Sequence, residues 1–257
     1  MCVLWAGAAP AGTLYTTFVE DGAGFTSALA VIDPSDGSVS VVGSMGVEVQ
    51  SLAYDPLDDI LYAAGPTSAD RISERALYVV GRSDGSVTRV GATGVSSAMA
   101  FDSLERVLYG TLRHNSGEGS LATIDRASGL ATAVGPPVIE VSSLEYLPAH
   151  GVLVGINPIS KDYGLFDPSD GSFTRLGEGP YFAFSLGYDS DSDRLFAATG
   201  STLYELDPLT GASSIVTALT PANPYASMAV VPEPSALSIQ ACALLTLLHL
   251  ARRRARR

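Results

Sequence analysis

Ser51-Leu-Ala-Tyr-Asp-Pro-Leu-Asp-Asp-Ile-Leu-Tyr-Ala-Ala64 reads as a strand, a tight turn and a second strand, and the chain repeats it. The first phrase returns as Ser97-Ala-Met-Ala-Phe-Asp102, Ser143-Leu-Glu-Tyr146, Ser185-Leu-Gly-Tyr-Asp189 and Ser227-Met-Ala-Val230. The second returns as Leu108-Tyr109, Leu153-Val154 and Leu195-Phe196, with Leu14-Tyr15 ahead of the first. Each unit then runs through another strand into Asp-Pro-Ser-Asp-Gly or a variant. The glycines of that phrase are Gly37, Gly85, Gly129, Gly171 and Gly211, separated by 48, 44, 42 and 40 residues. A last short strand ends in Val-Gly or Leu-Gly at Gly43, Gly91, Gly135 and Gly177.

Asp-Pro presets φ for a turn, and the residues that close it tolerate positive φ, so these phrases are hairpin corners. Four short strands in a period of 40–48 residues form the pattern of a propeller blade. Residues 13–231 resemble YVTN-type and related β-propeller repeats on these phrases. An open solenoid is the competing architecture. Leu14–Gly43 supplies the second, third and fourth strands of a blade but no inner strand, whereas Ser227–Val231 is an inner strand with no blade after it. Pairing the two closes the ring and removes its edges. The expected fold is all-β: a five-bladed β-propeller whose N- and C-terminal strands share one blade.

A different grammar follows the repeats. Val231-Pro-Glu-Pro-Ser235 is held extended by its two prolines. Ala236–Ala251 carries no formal charge, and Arg252, Arg253, Arg254, Arg256 and Arg257 follow. As a helix, 236–251 would cover about 24 Å, short of the roughly 30 Å hydrocarbon core, with the arginines snorkelling and holding the C-terminus in the cytoplasm. A short C-terminal transmembrane helix is therefore expected. Order, spacing and position resemble the PEP-CTERM sorting signal over residues 232–257, and its recognition element falls on Pro232, Glu233 and Pro234. The resemblance implies an exosortase partner, transient membrane anchoring, and a final place at the cell surface or outside the cell. An ordinary C-terminal membrane anchor is the alternative. Residues 1–12, with small residues from Ala6 to Ala11, resemble the end of a signal peptide whose start lies upstream of Met1.

Among 257 residues there are 27 acidic and 15 basic ones; without Glu233 and the five tail arginines the balance is −16. Lys161 is the one lysine. Such a body repels phosphate backbones, which excludes nucleic acid, and suits neutral glycans or divalent cations. Cys2 and Cys242 lie at the two ends, so nothing staples the repeats and the core must carry them.

In a propeller, the turns between strands 1 and 2 and between strands 3 and 4 share a face. Here they are short and alike. The loops of the other face vary, at residues 16–27, 65–75, 112–119, 155–162 and 177–184, so a ligand is expected there. Glu145 replaces Ala53, Ala100, Gly187 and Ala229 of the other inner strands. It could hold a cation or act as acid/base at the axial channel, or it could be a solvated glutamate at the mouth. Asp189, Asp191 and Asp193 alternate like a calcium loop without its glycine and distal glutamate, and they fall on a hairpin turn. Tyr181, Phe182 and Phe184, with Phe18 and Phe25, could stack on sugar or plug the core between blades. Neither a nucleophile elbow, a phosphate loop nor a metal-spaced His/Cys set is present, and His114 has no evident partner. No catalytic residue and no cofactor is assigned, calcium being the one candidate. The expected function is a surface or matrix binding or structural module. A glycan hydrolase or lyase and a permanently anchored scaffold are the alternatives.

Overall fold

A computed structural model describes residues 12–20, 26–67, 74–114, 117–222 and 225–232. Its strands fall into five four-stranded antiparallel sheets. Blade 2 is β4 (Ser51–Asp55), β5 (Ile60–Pro66), β6 (Arg75–Val80) and β7 (Val87–Thr93). Blade 3 is β8 (Val95–Asp102), β9 (Val107–Arg113), β10 (Gly119–Ile124) and β11 (Ala131–Val134). Blade 4 holds β12 (Ser143–Leu147), β13 (Val152–Ile156), β14 (Asp162–Phe166) and β15 (Phe173–Glu178). Blade 5 holds β16 (Ser185–Asp189), β17 (Arg194–Ala198), β18 (Thr202–Leu206) and β19 (Ser213–Ala218).

Blade 1 is made from both ends of the chain. β1 (Thr13–Val19), β2 (Ser27–Ile32) and β3 (Val39–Ser44) lie outward of β20 (Tyr225–Val231), in the order β20-β1-β2-β3. Leu14 faces Val230 and Tyr15 faces Ala229 across that ladder, and Thr17 and Ser227 join hydroxyls at 2.7 Å. The ring is a closed five-bladed propeller. Among the described residues no helix is long and apolar enough to cross a membrane. The apolar stretch 236–251, Glu233, Pro234, the arginine cluster 252–257 and residues 1–11 lie outside the described residues.

Alternation along each strand sends apolar side chains to both faces of a blade, so the core is divided among the seams. Five buried clusters result, each drawn from two neighbouring blades. Leu61, Tyr78 and Ala229 serve the seam of blades 1 and 2, whereas Val154, Tyr163, Leu186 and Tyr188 serve that of blades 4 and 5.

The repeated glycines are where blades touch backbone to backbone. A Cβ on Gly43 would lie 2.1 Å from the Asp84 carbonyl oxygen, and one on Gly91 1.9 Å from that of Ser128. One on Gly177 would lie 2.0 Å from the Thr210 oxygen. The outer strand of one blade thus abuts the turn between strands 3 and 4 of the next, and the recurring Val-Gly is a packing requirement there. The turn glycines carry φ of 72 to 79°, as the corner reading requires.

Candidate functional site

The small position near the end of each inner strand faces a large residue on the second strand. Ala53 stands opposite Tyr62, Ala100 opposite Tyr109, Gly187 opposite Phe196 and Ala229 opposite Tyr15. In blade 4 the volumes are exchanged, and Glu145 stands opposite Val154. This places Glu145 at a cavity of about 60 Å³ on the axis. Tyr54, Phe101, Tyr146, Tyr188 and Val230 ring it, with Pro56, Pro148 and Pro232 at the mouth. One ordered water needs roughly 10–15 Å³, so the space takes a few waters or a small ion and is too small for a sugar ring.

Glu145 is half-buried and borders that cavity, among the inner strands of the blades. Burial pushes its carboxyl up to about 8, against the backbone N–H groups of Tyr146 and Tyr188, which donate to it and favour the charged form. The Tyr146 N–H lies 3.2 Å from Oε1.

The buried aspartates that end the inner strands serve the turns and the seams. Asp55 Oδ1 accepts the N–H groups of Leu57 and Asp58, and Asp102 Oδ1 those of Leu104 and Glu105. Asp55 Oδ2 accepts from Arg126 of the next blade at 2.6 Å, and Asp102 takes a hydrogen bond from the Tyr146 hydroxyl. Asp189 Oδ2 accepts from Ser192 Oγ at 2.6 Å and from the Gly12 N–H at 3.3 Å, which ties blade 5 to blade 1.

Asp189, Asp191 and Asp193 do not converge. Asp189 is consumed by its turn, while Asp193 accepts the Tyr188 hydroxyl at 2.6 Å and meets His150 Nε2 at 3.0 Å. Those two partners hold the Asp193 carboxyl below the usual range, the Tyr188 hydroxyl first. Among the described residues no cluster of three or more His, Cys, Asp or Glu side chains is arranged to hold a metal ion. His114 does have a partner, Ser120 Oγ at 2.5 Å.

The aromatics sit at the other end of the strands. Tyr181, Phe182 and Phe184 precede β16, whereas Glu145 lies toward the turns between strands 1 and 2, so the candidates form two separate sites. The three rings project outward at 54, 47 and 39 % exposure and do not plug the core. Phe18 instead packs, half-buried, into the seam of blades 5 and 1. Phe25 lies outside the described residues. Sequence reasoning passed over Ile159, 72 % exposed beside these rings, and Val154 opposite Glu145. Leu153-Val154 breaks the Leu-aromatic phrase, and that break was the available signal.

No protein-family model and no curated protein matches the chain. Solved structures do resemble it. TolB from Acinetobacter baumannii superposes with a TM-score of 0.54 at 15% identity, over 79% of this chain and 52% of that one. A chain of a nidogen/laminin complex gives 0.52 at 12% identity, over 85% of this chain and 97% of that one. This chain thus spans about half the length of TolB. At such identities the likeness is one of fold.

Proposed function

We propose that this chain is an exported propeller of the cell surface or extracellular matrix, processed by an exosortase and acting as a binding or structural module. The observation that carries the reading is where the ring ends. β20 stops at Val231, Pro232 already belongs to the Pro-Glu-Pro motif, and every blade is complete before the tail begins. The motif therefore starts where the described ring closes. Cutting behind it would leave the closing ladder of β1 and β20 untouched.

The partners of this reading are the exosortase, the membrane before processing, and an exopolysaccharide or surface glycan. The charge of the body, −16 from its residue counts, argues against nucleic acid. The test is the intact mass of the mature protein from a host with and without its exosortase gene. The sorting reading expects loss of the arginine tail only where the enzyme is present. A full-length tail in both strains would make the chain a permanently anchored propeller.

A glycan hydrolase or lyase has one observation in its favour, the raised carboxyl of Glu145, which suits a general acid near neutral pH. The size of the cavity weighs against it. Loss of a measured glycan turnover in Glu145→Ala would support the enzyme.

A further inference from the structure

Among the described residues ten large hydrophobic side chains are exposed, and six of them are scattered over turns and outer strands. The other four, Ile159, Tyr181, Phe182 and Phe184, gather at one seam, between blades 4 and 5 on the variable face. The Tyr181 and Phe182 rings lie 4.0 Å apart between centroids, and Phe182 and Phe184 are stacked within 16° at 6.0 Å. A contiguous exposed apolar patch on a rigid scaffold marks an interaction site.

The loop holds these rings outward by construction. Ala183, between the two phenylalanines, is fully buried in the core of the seam, and its carbonyl accepts from Ser142 Oγ at 3.0 Å. The Phe182 N–H donates to the Pro158 carbonyl at 2.9 Å, and the Gly179 N–H to that of Lys161 at 2.9 Å. Phe182 is locked at φ 58°, a conformation that costs a bulky side chain energy and that glycine would adopt freely. Strain retained at an exposed aromatic points to use of that ring.

Charge narrows the ligand. Next to the platform Lys161 is paired with Glu178 at 2.7 Å, and Arg175 with Asp162 and Glu178, so these cations are already satisfied. The body is strongly acidic, so an anionic polymer is repelled and a second copy of the chain is too. A pyranose ring offers an apolar C–H face to the negative face of an aromatic ring, with hydroxyls at its rim. We infer that Tyr181, Phe182 and Phe184 form a stacking platform for an uncharged polysaccharide. This deepens the binding-module reading above and rests on it.

The experiment is affinity electrophoresis of the full chain in mild detergent, through native gels containing mixed-linkage β-glucan, galactomannan, dextran or the anionic alginate. Retardation by at least one neutral polymer and none by alginate is expected. Tyr181→Ala and Phe182→Gly should each weaken it at least ten-fold. Phe182→Gly relieves the backbone, so its melting temperature should stay level or rise, which separates binding from folding. Equal retardation of wild type and variants would overturn the platform, as would absence of retardation in every neutral gel. Self-association abolished by the variants would overturn it too, by making this face an interface between copies. The assay uses no exosortase: a tail kept in both strains with retardation intact would remove the sorting reading and leave the platform standing.

Discussion

Glu145 and Val154 face each other across β12 and β13, reversing the small-against-aromatic pairing of the other four blades. The exchange keeps the local volume roughly constant while placing a carboxyl where the other blades have a methyl or a hydrogen.

That carboxyl should make stability depend on pH. It titrates near 8 in the fold against an ordinary 4.5, so the folded chain holds the proton more tightly than the unfolded chain. The contribution is full below pH 4.5 and is lost as pH rises toward 8. Urea unfolding between pH 5 and 8 should show a decline on the order of 2–4 kcal/mol, and Glu145→Gln should flatten it. A slope unchanged in the variant would place the titration elsewhere.

The seam glycines should tolerate no side chain. In Gly91→Ala the new methyl meets the Ser128 carbonyl at 1.9 Å, and a backbone atom cannot turn away. A loss of about 3 kcal/mol is expected. Gly46→Ala, at φ 66° but in open space, should cost only about 1 kcal/mol. Chemical denaturation of the two variants side by side checks the difference.

Arg126→Ala should cost far more than Arg106→Ala. Arg126 is the partner of the fully buried Asp55, and its removal strands that carboxylate. The expected loss is about 2–3 kcal/mol. Arg106 meets Asp58 at the surface, where a pair contributes at most about 1 kcal/mol. Melting curves at low and high salt distinguish the two, since screening should erase only the Arg106 effect.

Chain ends make the fourth test. A stop after Pro232 should leave the circular dichroism spectrum and the resistance to limited proteolysis of the full chain. A stop before Tyr225 removes β20, leaves β1 without its axial neighbour, and should yield a protease-sensitive, aggregating product. Equal resistance of both truncations would contradict the shared blade.

Much of the ring was legible because the repeats are long and their turns are written in Asp, Pro and Gly. The spacing of Gly37, Gly85, Gly129, Gly171 and Gly211 counts the blades, and the unmatched inner strand at Ser227 points to closure. The role of Gly43 and Gly91 was hidden because their contact lies in the next repeat, so the letter alone reads as a strand ending. The surroundings of Glu145 could not be read either, since burial on a five-fold axis is set by all blades together. The alternating Asp189, Asp191 and Asp193 did not reveal that Asp189 is buried, its carboxylate taking the N–H of Asp191 and the hydroxyl of Ser192. The separation of Glu145 from Tyr181 follows from which end of β16 each one adjoins, a relation that appears only once strands are paired.

Among the described residues, the innermost strand of the first blade is also the last strand in chain order. Until Val231 exists, β1 presents a bare edge at the axis, and the finished blades form an arc with a gap. The ladder that fills the gap joins Thr17 to Ser227, 210 residues away. Closure thus waits until synthesis has passed Val231. A product that stops short of β20 carries its own defect, an unpaired edge on β1.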